Sequence, residues 1–463
     1  MKKETITKAT NQQFTIPIRK GVLTFIEEIL KGENTIVYKN KKLKKELIIY
    51  LIFYIVDLTE EEGYGTHLNT KILKKKFLDD YKPYLSFLED KGLIILARKG
   101  AAGGSSSFYG LDKIYYYFEK IMIKYEITDT VLLKKINHNN TGLSKYYNEK
   151  NLYCIETRKH LVKHFDDNLE IDVEGATKEI YSLDEAKYDA NFHTIHEYDT
   201  KLWNYSIKKK TDNRLHTIIS RTNKKLLKHI TYKRQKLGEI DIKTSQPLFL
   251  FIALNSIFNT TVNSKLKTFL KNKLGEGLQK KLIENGIDKE ELKEFGKIIL
   301  EGDLYNYLIT KIEIKQNSNN RYYYKCFDEE LGRNRTVEFE NKRELMKTAT
   351  LRAMYGGKGE IVNDIREMFP SIKIIINLIN KEEGFSETKN NLSNILQNLE
   401  AYIVLDLIAK DISNRFKEIP LFSKHDSLIT YNSSIEEVKA FMQTKFKDYT
   451  GIDGGSVLVC ESW

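Results

Sequence analysis

Cysteine is scarce, and Cys154, Cys326 and Cys460 lie far apart. That spacing supplies neither a zinc-binding set nor a disulfide framework, and it suits a reducing compartment. Long apolar runs are missing too. The longest, 47–56, holds ten residues, too few to cross a bilayer as a helix. A buried helix is expected there, and no membrane partner. The opening residues lack a charged-then-apolar leader pattern, so a cytoplasmic location is expected. Acidic residues are nearly absent from one stretch. Between 201 and 235 stand 11 Lys or Arg and a single acid, Asp212. The local balance of +10 nearly equals the +11 of the whole chain. Phosphate contacts are the main sequence-independent source of nucleic-acid affinity. Lys208, Lys209, Lys210, Lys224 and Lys225 are the candidates for them.

What is present points to a folded, mixed protein. At 463 residues, with 41% hydrophobic and 11% aromatic content, the chain has room for two to four domains and a large core. An α+β, helix-rich fold is expected. A strand and a helix open the chain. Residues 43–125 then carry a rhythm of helix 43–58, a polar turn at 60–65, helices 69–77 and 81–91, strand 93–97, a Gly/Ser tip at 103–107 and a returning strand 108–111. Three helices and a hairpin with a loose tip resemble a winged-helix module, giving an N-terminal domain over 1–125. Such modules usually place a helix in a DNA groove. A helical connector over 126–200 follows. Its His193, His196 and Glu197 have metal-like spacing, but a polar helix makes them a surface feature. Residues 321–340 alternate aromatic and polar side chains and predict an antiparallel hairpin.

The chemistry lies in 201–463. Asp241 ends an apolar run, 237–240, that reads as a strand. Asp426 sits in His425-Asp426-Ser427, at the polar tip of a hairpin spanning 419–430. Two carboxylates from separate strands suit hard divalent cations. Two such ions perform in-line phosphoryl displacement, and the carbonyl of Ile242 is a further oxygen ligand. Between the two aspartates, Arg343, Lys347, Leu351 and Tyr355 are spaced four apart and share one helix face. Gly356-Gly357 ends that helix, where a left-handed cap is expected. A cationic face meets a triphosphate, and Tyr355 meets the sugar and base.

Arg-x3-Lys-x7-Tyr-Gly over 343–356 resembles the finger-helix motif shared by family A DNA polymerases and bacteriophage-type single-subunit RNA polymerases. His425-Asp426-Ser427 resembles the catalytic His-Asp-Ser of the RNA enzymes. Asp241 with Ser245-Gln246 is similar to their first metal-binding motif. Asp212-Asn213-Arg214-Leu215-His216 resembles an element that grips the hybrid, although its Gly is missing. Gly302-Asp303-Leu304-Tyr305 is similar to a segment that opens the fingers, and Gln397 to a residue that touches the duplex minor groove. The resemblance covers about 200–463. It implies a right-hand core of palm, fingers (about 260–390) and thumb, with catalytic Asp241, Asp426 and Lys347. It further implies nucleotide-binding Arg343, Lys347, Tyr355 and Gly356, and nucleic-acid-binding Arg214, His216, Gln397 and His425. The metal site is Asp241, Asp426 and Ile242 with two Mg²⁺, for which Mn²⁺ can substitute. Partners are a template with primer or nascent strand and nucleoside triphosphates, for a monomeric enzyme.

Two departures bear on the product. The family A DNA enzymes carry a Ser-Gln-Ile-Glu run whose Glu blocks a ribose 2′-hydroxyl. Here the run is Ser245-Gln246-Pro247-Leu248, with Leu in the place of Glu. No exonuclease carboxylate set or promoter-reading domain is evident. The expectation is an RNA polymerase or primase, with a family A-like DNA polymerase as the alternative. A non-catalytic DNA-binding replication initiator with a degenerate polymerase fold is the further alternative.

Overall fold

The computed structural model describes residues 14–59, 65–68, 70, 73–74, 77–98, 106–140, 145–183, 185–201, 203–209, 211–258, 263–275, 277–328, 332–381 and 391–463. The turn at 60–64, most of helix 69–77, tip residues 103–105 and Lys210 lie outside the described residues. The chain is α+β and helix-rich. It forms two compact units. One holds 1–157, 165–206 and 221–234; the other holds 158–164, 207–220 and 235–463.

In the first unit the strand Thr15–Arg19 pairs antiparallel with Met122–Glu126. The apolar run at 47–56 forms most of the helix Lys45–Asp57, with Leu47–Leu51 and Tyr54–Val56 buried. A helix hydrophobic on every side must be enclosed. The expected start of this helix at Leu43 is corrected, because Lys41–Lys44 is a strand paired with Thr35–Tyr38. The two-residue turn between them has Lys39 and Asn40 both left-handed, at φ 48° and 63°. That is the geometry whose twist matches a tight hairpin, and Asn tolerates it.

Strand Ser107–Leu111 lies between Gly65–Leu68 and Ile94–Arg98 in a three-stranded antiparallel sheet. Helix Lys82–Asp90 precedes the last two strands in sequence. It is flanked by the 35–44 hairpin. The Tyr38 hydroxyl donates to Ser86 O at 3.2 Å, Lys39 pairs with Asp90 at 3.0 Å, and the Lys44 amide donates to the Tyr84 hydroxyl at 3.2 Å.

A fully buried ion pair sits in this unit. Arg19 Nε lies 3.0 Å from Asp189 Oδ1, and Nη2 lies 2.9 Å from Oδ2. Arg19 is 0% exposed. Its Nη1 donates to the carbonyls of Tyr115 and Phe118, and its guanidinium stacks 4.9 Å from the Tyr115 ring centroid. Asp189 belongs to helix Glu185–Thr200. The same helix carries His193 and His196, which are buried rather than at the surface. His196 Nε2 is 2.8 Å from Thr15 O, and His193 Nδ1 is 3.4 Å from Asp57 Oδ1. Glu197 pairs with Arg221. These three residues bind elements of the unit to one another, because their helix is enclosed and their polar groups need internal partners.

In the second unit, strand Gln235–Ile242 pairs antiparallel with Ser427–Tyr431 and with Leu458–Ser462, and Phe422–Lys424 pairs with Ser427–Tyr431. Gly238 is needed here: a Cβ would stand 2.8 Å from Ile435 Cδ1 and 3.1 Å from Glu461 O. Helix Ile435–Thr450 buries Ile435, Val438, Met442 and Phe446, a three-and-four spacing that forms one apolar stripe. Helices dominate 245–311 and 342–415. Between these blocks, Tyr322–Asp328 and Arg333–Phe339 form the expected hairpin, extended by Lys315–Gln316.

Candidate active site

The pairing register brings the two aspartates together. Ile240 lies opposite Leu428 in the antiparallel ladder. One residue further along each strand, Asp241 follows Ile240 and Ser427 precedes Leu428, so Asp241 and the 425–426 turn share one end of the sheet. His425 is left-handed at φ 55°, which tightens the turn. Burial raises the Asp241 carboxyl to about 6, and the charges of Asp426 and Glu239 push in the same direction. The Ile242 amide and Lys347 pull it the other way. Glu239 is two residues before Asp241, on the same strand face. It is nearly buried, accepts from Ser427 Oγ, and has Lys424 Nζ at 3.8 Å.

The helix Lys342–Met354 forms as expected. Asn341 caps it through the Glu344 amide at 2.8 Å, which satisfies a free N-terminal donor. Gly356, at φ 89°, follows its end. Lys347 is exposed, and its charge acts on Asp241. Arg343 is held at its place by Asp303, with Nη2 3.0 Å from Oδ2, and by the Tyr305 ring 5.3 Å away. Burial opposes ionisation of Asp303, but the Arg343 hydrogen bond holds its carboxyl low. Asp303 also caps the next helix through the amides of Tyr305 and Asn306. The 302–305 segment is thereby tied to the cationic helix.

Tyr355 opens a chain of hydrogen bonds that the sequence did not announce. Its hydroxyl donates to Gln246 Oε1 at 2.9 Å. Gln246 Nε2 donates to Glu400 Oε2 at 2.5 Å. Arg214 closes on Glu400 Oε1, with Nε at 2.7 Å and Nη2 at 2.6 Å. Burial raises Glu400 to about 8 against the opposing pull of Arg214, and the Asp426 charge adds to the rise. Burial likewise raises the Tyr355 phenol, the Glu400 charge adds to it, and Ser393 lies against the same hydroxyl.

Leu248, in the place of the family's Glu, is 0% exposed within the helix Ser245–Phe258, and Gln246 of the same run bonds Tyr355. Thr244 is left-handed at φ 55°, and the helix that starts after it presents Gln246 to Tyr355.

The remaining expected residues fall into two groups. Arg214 and His216 join the site. His216 Nε2 is 2.9 Å from Asp212 Oδ2, and the Arg214 amide donates to Asp212 Oδ1 at 3.1 Å. Burial, then the charges of Arg214, Lys424 and His216, lower the His425 imidazole. Gln397 is half-buried on helix Asn391–Ala401, one turn before Glu400. The basic stretch divides. Lys208 and Lys209 are exposed in the second unit, and Lys224 and Lys225 are exposed in the first. Glu239 and Glu400 were missed by sequence reasoning, and Gln246 was noted only as part of the 245–246 motif, without its contacts to Tyr355 and Glu400. No local spacing marks them, though Glu239 at two residues from Asp241 could have been found by strand alternation.

The donor set fits divalent cations. Two carboxylates and a strand-end carbonyl are hard oxygen ligands. The elevated Asp241 value reflects burial and like-charge crowding that a cation would relieve. No family model matches the chain, and no curated protein matches it in sequence.

Proposed function

We propose that this chain is a single-subunit, template-directed nucleic-acid polymerase. The observation that carries the reading is the strand register that brings Asp241 and Asp426 to one sheet end, with the charge of Lys347 acting on Asp241. The sheet of the second unit serves as the palm, and helix Lys342–Met354 belongs to the fingers. Asp241, Asp426 and the Ile242 carbonyl would hold two Mg²⁺ ions, or Mn²⁺ in their place. Those ions, when bound, stabilise the attacking and leaving oxygens of nucleotidyl transfer. Lys347 binds the triphosphate and gives a proton to the departing pyrophosphate. Arg343, parked on Asp303 in this state, reaches the same phosphates. Tyr355 packs on the incoming sugar and the templating base. Arg214, His216, His425 and Gln397 stand towards the duplex, and Lys208 and Lys209 add charge for phosphate contact. The N-terminal region, 1–125, serves as a winged-helix-like accessory module.

The product is proposed to be RNA. A DNA polymerase is the second reading, since Ser245-Gln246 resembles the run of the family A DNA enzymes and its Gln246 touches Tyr355. One assay separates the two. A primed and an unprimed template are each offered labelled ribo- or deoxyribonucleotides, in Mg²⁺ and in Mn²⁺. Template-dependent ribonucleotide product is expected. Deoxyribonucleotide product alone moves the assignment to DNA synthesis, and no product in any arm overturns the polymerase reading.

A further inference from the structure

Glu400 is a carboxylate with no route to solvent. Helix Asn391–Ala401 delivers it to the interior at 0% exposure. A charge so placed is costly unless it is paired and hydrogen-bonded. Its two oxygens are divided between two partners. Oε1 takes both near guanidinium nitrogens of Arg214, at 2.7 and 2.6 Å, and Oε2 takes Gln246 Nε2 at 2.5 Å.

Hydrogen-bond polarity then runs in one direction. Guanidinium carries only donors, and a carboxylate carries only acceptors. An amide that gives its NH2 to Glu400 turns its carbonyl to Tyr355. The 2.9 Å bond from the phenol to Gln246 Oε1 uses the one proton Tyr355 has. Ser393 takes one lone pair of the phenol oxygen, and the other is left as an acceptor. A ribose 2′-hydroxyl can donate to it, and a deoxyribose cannot.

We propose that Glu400 is a positioning residue for sugar selection, fixing the Gln246 amide and through it the Tyr355 hydroxyl as an acceptor for a ribose 2′-hydroxyl. The inference rests on reading this site as a nucleotide pocket. Arg214 gains a second role from it, because the side chain expected to grip nucleic acid also sets the polarity of this relay. The relay joins residues at 214, 246, 355 and 400, so it exists only in the folded unit.

The test is competitive incorporation of a ribo- and a deoxyribonucleotide on one primed template, at about pH 9, where the Glu400 carboxyl is ionised. Glu400→Gln keeps the shape but lets the Gln246 amide turn either way. It should lower the ribo-to-deoxyribo ratio by about tenfold, the worth of one hydrogen bond to a substrate hydroxyl, to the level of Tyr355→Phe. The Glu400→Gln/Tyr355→Phe double variant should fall no further, since residues of one network are not additive. Gln246→Leu breaks the same relay and carries the same expectation should Glu400→Gln fail to fold.

An unchanged ratio overturns the proposal. So does a rate loss equal for both sugars, or additive losses in the double variant; each describes a residue that only supports packing. These outcomes leave the polymerase reading standing. A wild-type protein that incorporates neither sugar sinks both.

Discussion

The two units share one way of handling buried charge, and the second adds another. In the first, the buried charges named above are paired. Arg19 and Asp189 form a bidentate pair at 0% and 6% side-chain exposure, and Glu197 is matched with Arg221. The second has such pairs too, Arg158 with Asp406 and Arg214 with Glu400, but there charges of one sign also collect at a sheet end. Asp426 and Glu239 act on Asp241, and Asp426 acts on Glu400 as well. A matched pair closes its electrostatics within the fold. A cluster of carboxylates leaves them open, and adds to the burial that raises Asp241 to about 6. The first arrangement secures a structure. The second, on the proposed reading, is where a cation brought from outside would bind.

The contrast can be broken at its structural end first. Arg19→Met leaves Asp189 buried without its partner, a loss of about 3–5 kcal/mol. Chemical denaturation should register this as early unfolding, while the second unit's chemistry is untouched in whatever fraction stays folded. A change within experimental error would mean that the pair is dispensable.

At the chemical end, Lys347→Ala should slow turnover by about a hundredfold or more, the usual worth of a positioned proton donor. Arg343→Ala should mainly raise KM, since Arg343 contributes binding present in ground and transition states alike. Steady-state kinetics on a primed template separate the two. Wild-type constants for both variants would mean the helix faces no substrate.

The smallest effect sharpens the comparison by pH. The Asp241 value of about 6 lies above the ordinary 3.8. Its ionisation therefore costs the fold, and the stability associated with its protonated form is complete below about pH 4 and lost as pH rises through 6. Asp241→Asn has no such loss. Without divalent cations, it should melt a few degrees above wild type at pH 8 and level with it at pH 4. A lower melting point at pH 8 would place a stabilising partner on Asp241 instead.

Much of the site was legible because its signals are local. The four-residue spacing of Arg343 and Lys347 predicts their shared helix face, and the polar tip at 425–426 predicts the turn that carries Asp426. Gly356 was readable as a left-handed cap. What was not legible is long-range. Glu400 meets Arg214 across 186 residues and Gln246 across 154, and no periodicity encodes such a meeting. His193 and His196 were misjudged because a polar helix that is packed all round looks, in sequence, like one that is solvated. The early helix start at Leu43 ignored a turn signal, Lys39-Asn40, that the residues did carry. The divided basic stretch follows from a chain that crosses between units at 206–207, 220–221 and 234–235, which composition cannot reveal.

The most direct measurement compares nucleotide addition by wild type, Asp241→Ala and Asp426→Ala, with template binding followed in parallel. The account predicts template-dependent extension by wild type, none by either variant, and near-normal nucleic-acid affinity in all three, because each substitution empties a metal ligand and removes no phosphate contact. Extension by either variant at near the wild-type rate would contradict it.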